Sequence, residues 1–294
     1  MDLDAERELR QRVFDALAEE VAESGSLTRD QLSNFKVGSD TRRLIDMSRG
    51  IRNPKEMSAT LAVVSSPDGP YADSEVEGGL FRYDYRSGST AGDNTKLRRA
   101  RELDLPIILL RKIETGVYVP VFPVYVVGDD MTKRQFVLAV DERLRFLAEP
   151  GHGSILERRY AERLARYRLH QAEFRGRVLR AYATRCTVCL LRHGRLLDAA
   201  HIVGDRESGG DPVVPNGLSL CKIHHAAFDA NLLGVSPDYH VSIDTDLLRE
   251  TDGPMLLHGL QEMHGRQLLL PDRAADRPDP DRLAQRWAVF GKAS

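Results

Sequence analysis

Residues 186–229 read CTVCLLRHGRLLDAAHIVGDRESGGDPVVPNGLSLCKIHHAAFD, and this stretch decides the fold of the C-terminal half. It holds all three cysteines of the chain and two short knuckles, Cys186-x-x-Cys189 and Cys221-x-x-His224. Each knuckle turns two side chains toward one point, and four-coordinate structural zinc needs two such pairs. Cys186, Cys189, Cys221 and His224 therefore make a Cys3His set suited to structural Zn2+. Such a set staples a module with little apolar core and ties its folding to metal. Between the knuckles lie Asp198-Ala-Ala-His201-Ile and Pro215-Asn216-Gly217. After them, His225 and Asp229 stand four residues apart, so that on a helix both point to one side.

Outward from this stretch, the chain is long enough for two domains at 294 residues. Its composition is 41% hydrophobic and 29% charged, the balance of an ordinary globular protein and not of a disordered one. No run reaches transmembrane length, and the amphipathic start MDLDAERELRQRVF is not a signal peptide. With a CxxC and no disulfide framework, the expected setting is the reducing cytoplasm. The net charge of −2 is not that of a nucleic-acid binder, but charge is uneven. Residues 154–197 carry eleven Arg and three Glu, without Asp or Lys, an excess of +8. That suits phosphate contacts, although a solvated helix face would read the same way.

In the N-terminal half, apolar residues at Leu9, Val13, Phe14, Leu17 and Val21 give helical spacing. A second short helix is expected from about residue 26 to Asn34. Short apolar runs then follow as strands: 60–65, 79–85, 106–111 and 117–127, with a helix over 94–103 and a further strand and helical turn within 136–147. Strands dominate and helices are peripheral, an α+β barrel-like domain. The order VVSSPDGPY, GGLFRY and GDNTKLRRARELDLPIILLRK over residues 45–130 is similar to the SRA domain. The resemblance implies a PUA-like β-barrel that flips a modified cytosine out of duplex DNA between two tyrosines. Tyr71 and Tyr83 stand at the matching places, with Asp73, Ser74 or Asp84 as candidates for the carboxylate or hydroxyl reading the base edge. A flipped base loses a few kcal/mol of stacking and pairing, which aromatic faces and edge hydrogen bonds return.

The turn-rich EPGHGS at 149–154 is the expected linker, and a long basic helix is expected from about 155 to 183. The expected boundaries are thus a domain over 1–150, a linker helix over 151–183 and a metal-stapled domain over 184–294.

The order His201, Asn216, His225 within this zinc-binding pattern resembles the HNH, or ββα-metal, nuclease family. The resemblance implies that His201 is the general base for water attacking phosphorus, that Asn216 orients the catalytic loop, and that His225 and Asp229 hold Mg2+ or Mn2+. Asp198 is a possible ligand or support. Ala200 stands where an acidic residue or His is commoner in that family, and the AAHI…NGL…HH..FD pattern is similar to one of its subgroups.

Together these resemblances imply a zinc-stapled ββα-metal nuclease domain joined by a helical linker to an SRA-like barrel, the organisation of SRA–HNH restriction endonucleases. They imply double-stranded DNA bearing 5-methylcytosine or 5-hydroxymethylcytosine as the partner. One site cuts one strand, so a homodimer is expected for double-strand cleavage. The competing expectations are a nuclease sensing another mark, such as phosphorothioate, or unmodified sequence, and a reader of methylated DNA without catalysis.

Overall fold

The computed structural model describes residues 1–66, 75–76, 80–85, 92–147 and 154–293. The chain packs as two compact units: one holds Met1–Val21 and Ser26–Glu173, the other Ala22–Gly25 and Phe174–Ser294. No helix among the described residues is long and apolar enough to cross a membrane.

The first unit begins with α1 (Leu3–Ser24), β1 (Leu27–Thr28) and α2 (Arg29–Ser33). Thr28 starts α2 with a capping box, its hydroxyl accepting from Gln31 N while the Gln31 side chain accepts from Thr28 N. A small hairpin follows, β2 (Phe35–Val37) and β3 (Asp40–Arg42). The remaining strands are β4 (Ile51–Arg52), β5 (Ala62–Ser65), β6 (Glu75–Val76), β7 (Leu80–Asp84), β8 (Ile107–Glu114), β9 (Val117–Asp130) and β10 (Gln135–Ala139). Helices α3 (Asp93–Glu102) and α4 (Glu142–Leu147) accompany them.

Eight of these strands form one sheet in the order β4-β5-β8-β9-β10-β7-β6, with β1 also on β9. Only the β5–β8 pairing is parallel. The 14-residue β9 pairs with β8 through its first part and with β10 through its last, and around it the sheet curls into a half-barrel. Its two faces are both covered, which explains the unbroken apolar run IILL at the start of β8. Ile107 and Leu109 pack inward with Phe81, Tyr83, Tyr85, Phe136 and Leu138. Ile108 and Leu110 point the other way, onto Leu9, Val13, Phe14 and Leu17 of α1.

Helix α5 (Ile155–Ala181) runs from the first unit into the second. In the second unit β11 (Leu197–His201) and β12 (Gly217–Cys221) pair antiparallel, with His201 opposite Gly217. They lead into α6 (Lys222–Asp229), so strand, strand and helix follow one another. The hairpin β13 (Leu233–Val235) and β14 (Val241–Ile243), then α7 (Pro254–Gly259) and α8 (Pro280–Ala293), complete the unit. Its core joins Phe174 and Val178 of α5, and Tyr182 just after it, to Leu197, Ala200, Leu218, Leu220, Phe228 and the hairpin. Each buried Val, Leu or Phe among them contributes about 1.5–3 kcal/mol.

Candidate active site

The two knuckles converge. The donor atoms of Cys186, Cys189, Cys221 and His224 all lie within 4.8 Å of one another, in a largely buried cluster. His224 Nδ1 is 3.1 Å from Cys221 Sγ and 3.4 Å from Cys186 Sγ. Its other nitrogen, Nε2, donates to the Gly259 carbonyl at 2.8 Å. That bond fixes the tautomer, leaving the Nδ1 lone pair for the cluster. Burial opposes a charged His224, but the Cys189 and Cys221 sulfurs outweigh it and push the imidazole up to about 9. Three sulfurs and one imidazole nitrogen fit tetrahedral zinc. The C-terminal segment braces the first knuckle, with Thr187 Oγ1 donating to Leu269 O at 2.6 Å and Leu269 N to Thr187 O at 2.9 Å.

Facing α5, His201 ends β11. Its ring stacks on Phe174, centroids 4.1 Å apart and planes 19° from parallel. Gly217, its ladder partner, makes this possible. A Cβ there would lie 2.5 Å from Val178 Cγ2 and 3.0 Å from the Phe174 ring. Among the described residues, His201 Nε2 is buried without a hydrogen-bond partner. Burial holds the imidazole below its ordinary value, with Asp205 pulling the other way and His225 adding to the lowering. At neutral pH it is an unprotonated base.

Asn216 is completely buried, and its amide is fully engaged. Oδ1 accepts from Val203 N, and Nδ2 donates to the carbonyls of Val203 and Asp211. It ties down the loop that follows His201.

Helix α6 presents His224 to the zinc set and His225 away from it. His225 stands between two carboxylates, with Nδ1 3.1 Å from Asp198 Oδ2 and Nε2 3.4 Å from Asp229 Oδ2. Asp198 Oδ1 also accepts from Lys222 Nζ at 2.5 Å. Burial would raise the Asp198 carboxyl, but its bonds to Lys222 and His225 prevail and hold it below the usual range. Asp198, His225 and Asp229 are thus contiguous, two carboxylates around one imidazole, and oxygen-rich sets of this kind suit Mg2+ or Mn2+.

Two contributors lie outside the residues singled out from sequence. Phe174 reads there only as one apolar position in a helical stripe. Arg286 of α8 lies over the Phe228 ring, 4.7 Å from its centroid, donating to Asn231 Oδ1 at 2.6 Å and to the Phe228 carbonyl. It holds the C-terminal end of α6 where Asp229 sits, a favourable place for a cation.

Of the base-pocket candidates in the first unit, Tyr71, Asp73 and Ser74 lie outside the described residues. Tyr83 is fully buried on β7, its hydroxyl donating to Gly50 O at 3.1 Å. Asp84, half-buried, accepts from Gln135 Nε2 at 2.7 Å across the β7–β10 ladder.

Residues 186–236, within the second unit, match the HNH endonuclease family model. No curated protein matches the chain. Among solved structures, the chain is similar to a modification-dependent restriction endonuclease, TagI, at 19% identity and TM-score 0.29, covering 89% of this chain and 90% of that one. It is similar to the SRA domain of SUVH5 in complex with fully methylated CG DNA at 16% identity and TM-score 0.27, over 44% of this chain and 88% of that one. A third is the type IV phosphorothioation-dependent restriction endonuclease ScoMcrA, at 16% identity and TM-score 0.23, over 62% of this chain and 48% of that one.

Proposed function

We propose that the protein is a modification-dependent DNA endonuclease, with a nuclease centre at His201, Asn216, His225 and Asp229 and a modified-cytosine reader in the first unit. The observation that supports the nuclease half is the His225–Asp229 pair on α6, beginning at the residue after the cluster member His224, within the segment that matches the HNH family. The reader half rests on the sequence resemblance of residues 45–130 to the SRA domain.

In this reading the neutral His201 takes a proton from the water that attacks phosphorus, and Asn216 keeps the following loop in place. A divalent ion bound by His225 and Asp229 would polarise the scissile phosphate and offset charge on the leaving 3′ oxygen. Asp198, bonded to His225 Nδ1, orients that imidazole so that Nε2 faces Asp229. On the resemblance, Tyr71 would stack on the flipped base with Asp73 or Ser74 at its edge, and Tyr83, buried here with its hydroxyl on Gly50 O, would have to be uncovered to form the second face.

The test is cleavage of two plasmids that differ only in CpG methylation, with Mg2+ or Mn2+, by wild type and by His201→Ala. The expected result is cleavage of the methylated plasmid alone, lost in His201→Ala. Equal cleavage of both plasmids would remove the methylcytosine reader and leave the nuclease. Binding of methylated DNA without cleavage of either would remove the nuclease. Nicked product from single chains and linear product from pairs would show whether two copies act together.

A further inference from the structure

Among the described residues, His201 donates no hydrogen bond to a carboxylate or a carbonyl, the usual way of fixing a working imidazole. Among the described residues its Nε2 is buried and has no partner. What holds the ring is an aromatic face: Phe174, 4.1 Å away and nearly parallel. Phe174 is itself buried to 1% exposure and sits in the core with Val178, so the face cannot swing aside without unpacking. Gly217 leaves the space that this stack occupies, since a methyl there would press on both Phe174 and Val178. Stacked rings gain attraction beyond the area they bury, which favours one ring orientation.

We propose that Phe174 is a positioning residue for His201: it covers one face of the imidazole and fixes the plane of the ring, so that Nδ1, and not the buried Nε2, is the nitrogen that meets a water. This rests on His201 being the base of the nuclease centre. Two physical effects follow from one contact. The ring is held in plane without a hydrogen bond, and the apolar cover disfavours its charged form. The charged or titratable groups that act on it are Asp205, from the loop after β11, and His225, from α6. The first favours the charged imidazole and the second opposes it, so the apolar cover decides the balance.

The experiment is a histidine NMR titration of full-length, zinc-loaded protein, with the resonance assigned by loss in His201→Ala, alongside the pH profile of cleavage. In wild type, the His201 midpoint is expected below its ordinary value. In Phe174→Ala, which removes the apolar cover and lets water reach the ring, the midpoint should rise and kcat should fall about tenfold or more, with KM for DNA and zinc content unchanged. Phe174→Tyr, which keeps the cover, should hold both near wild type. Gly217→Ala should reproduce the Phe174→Ala shift by displacing the ring, and serves if that variant folds poorly. A wild-type midpoint at or above the ordinary value would overturn the proposal, as would a midpoint and kcat unmoved in Phe174→Ala. If His201→Ala still cleaves, the assignment of the base fails, and that result is separate from the titration.

Discussion

Asn216 grips Val203 by both backbone groups, Oδ1 accepting from Val203 N at 2.9 Å and Nδ2 donating to Val203 O at 3.0 Å. With the further bond to Asp211 O, a single buried amide spans the loop between β11 and β12. Asn216→Ala strands these groups away from water, a loss of about 1–3 kcal/mol. The expected outcome is a modest fall in Tm and a larger fall in kcat, about a hundredfold, because the loop beside His201 loses its anchor. Thermal unfolding and single-turnover cleavage measured together check this. A variant that loses stability while keeping full kcat would show that the clamp serves folding alone.

Metal removal should act on fold before chemistry. Cys186, Cys189, Cys221 and His224 draw on the loop before β11, the end of β12 and the first turn of α6. Without an ion, these sulfurs and the imidazole crowd together with no common partner. Zinc extraction by a strong chelator is expected to lower the Tm of the second unit sharply, and Cys189→Ser to reduce bound zinc below one per chain. Zinc stoichiometry by elemental analysis, with circular dichroism on the same sample, reads both. Retained helical signal and melting after complete zinc loss would refute a structural role.

The depressed His201 imidazole makes stability depend on pH in a defined window. Its folded value lies below the ordinary 6.5, so between the two the unfolded chain binds a proton that the folded chain does not. Its contribution is therefore fully present above pH 6.5 and is lost as pH falls through the folded value. Urea unfolding at a series of pH values should show wild type weakening on this acid side, and His201→Phe, which fills the same space beside Phe174, should weaken less. Identical pH dependence in the two proteins would count against a neutral buried His201.

In the first unit, Glu6 and Arg10 form a fully buried ion pair at 2.7 Å. Arg10 also donates to the carbonyls of Ala59, Thr60 and Pro106, and Glu6 accepts from Ser58 N. This network fastens α1 to the sheet. Arg10→Met leaves a buried carboxylate uncompensated and should cost about 3–5 kcal/mol. The double substitution Glu6→Leu with Arg10→Met should recover much of that loss. A double-mutant cycle by chemical denaturation measures the coupling, and additive losses would argue against a coupled pair.

Local patterns carried much of this architecture. The paired knuckles, the i, i+4 spacing of His225 and Asp229, and the apolar runs of β5, β8 and β9 depend on neighbours in sequence, and these arise where expected. The expected helix from residue 26 starts instead as the two-residue strand β1, because Leu27 and Thr28 pair with Tyr118 and Val117, a partnership about ninety residues away. The contact of Phe174 with His201 was equally out of reach, since nothing local distinguishes it from the other apolar positions of α5. Arg286 reads as a solvated charge until Phe228 and Asn231 are brought beneath it.

His224 and His225 are consecutive residues of an eight-residue helix, one turned to the zinc set and the other to Asp198 and Asp229. Successive α-helical residues differ by about 100° in azimuth and 1.5 Å in height. Once the zinc set fixes the azimuth of the first, that of the second is dictated. The cluster is therefore an angular datum for its neighbour: the tolerance with which four ligands close on an ion becomes the tolerance with which His225 is aimed.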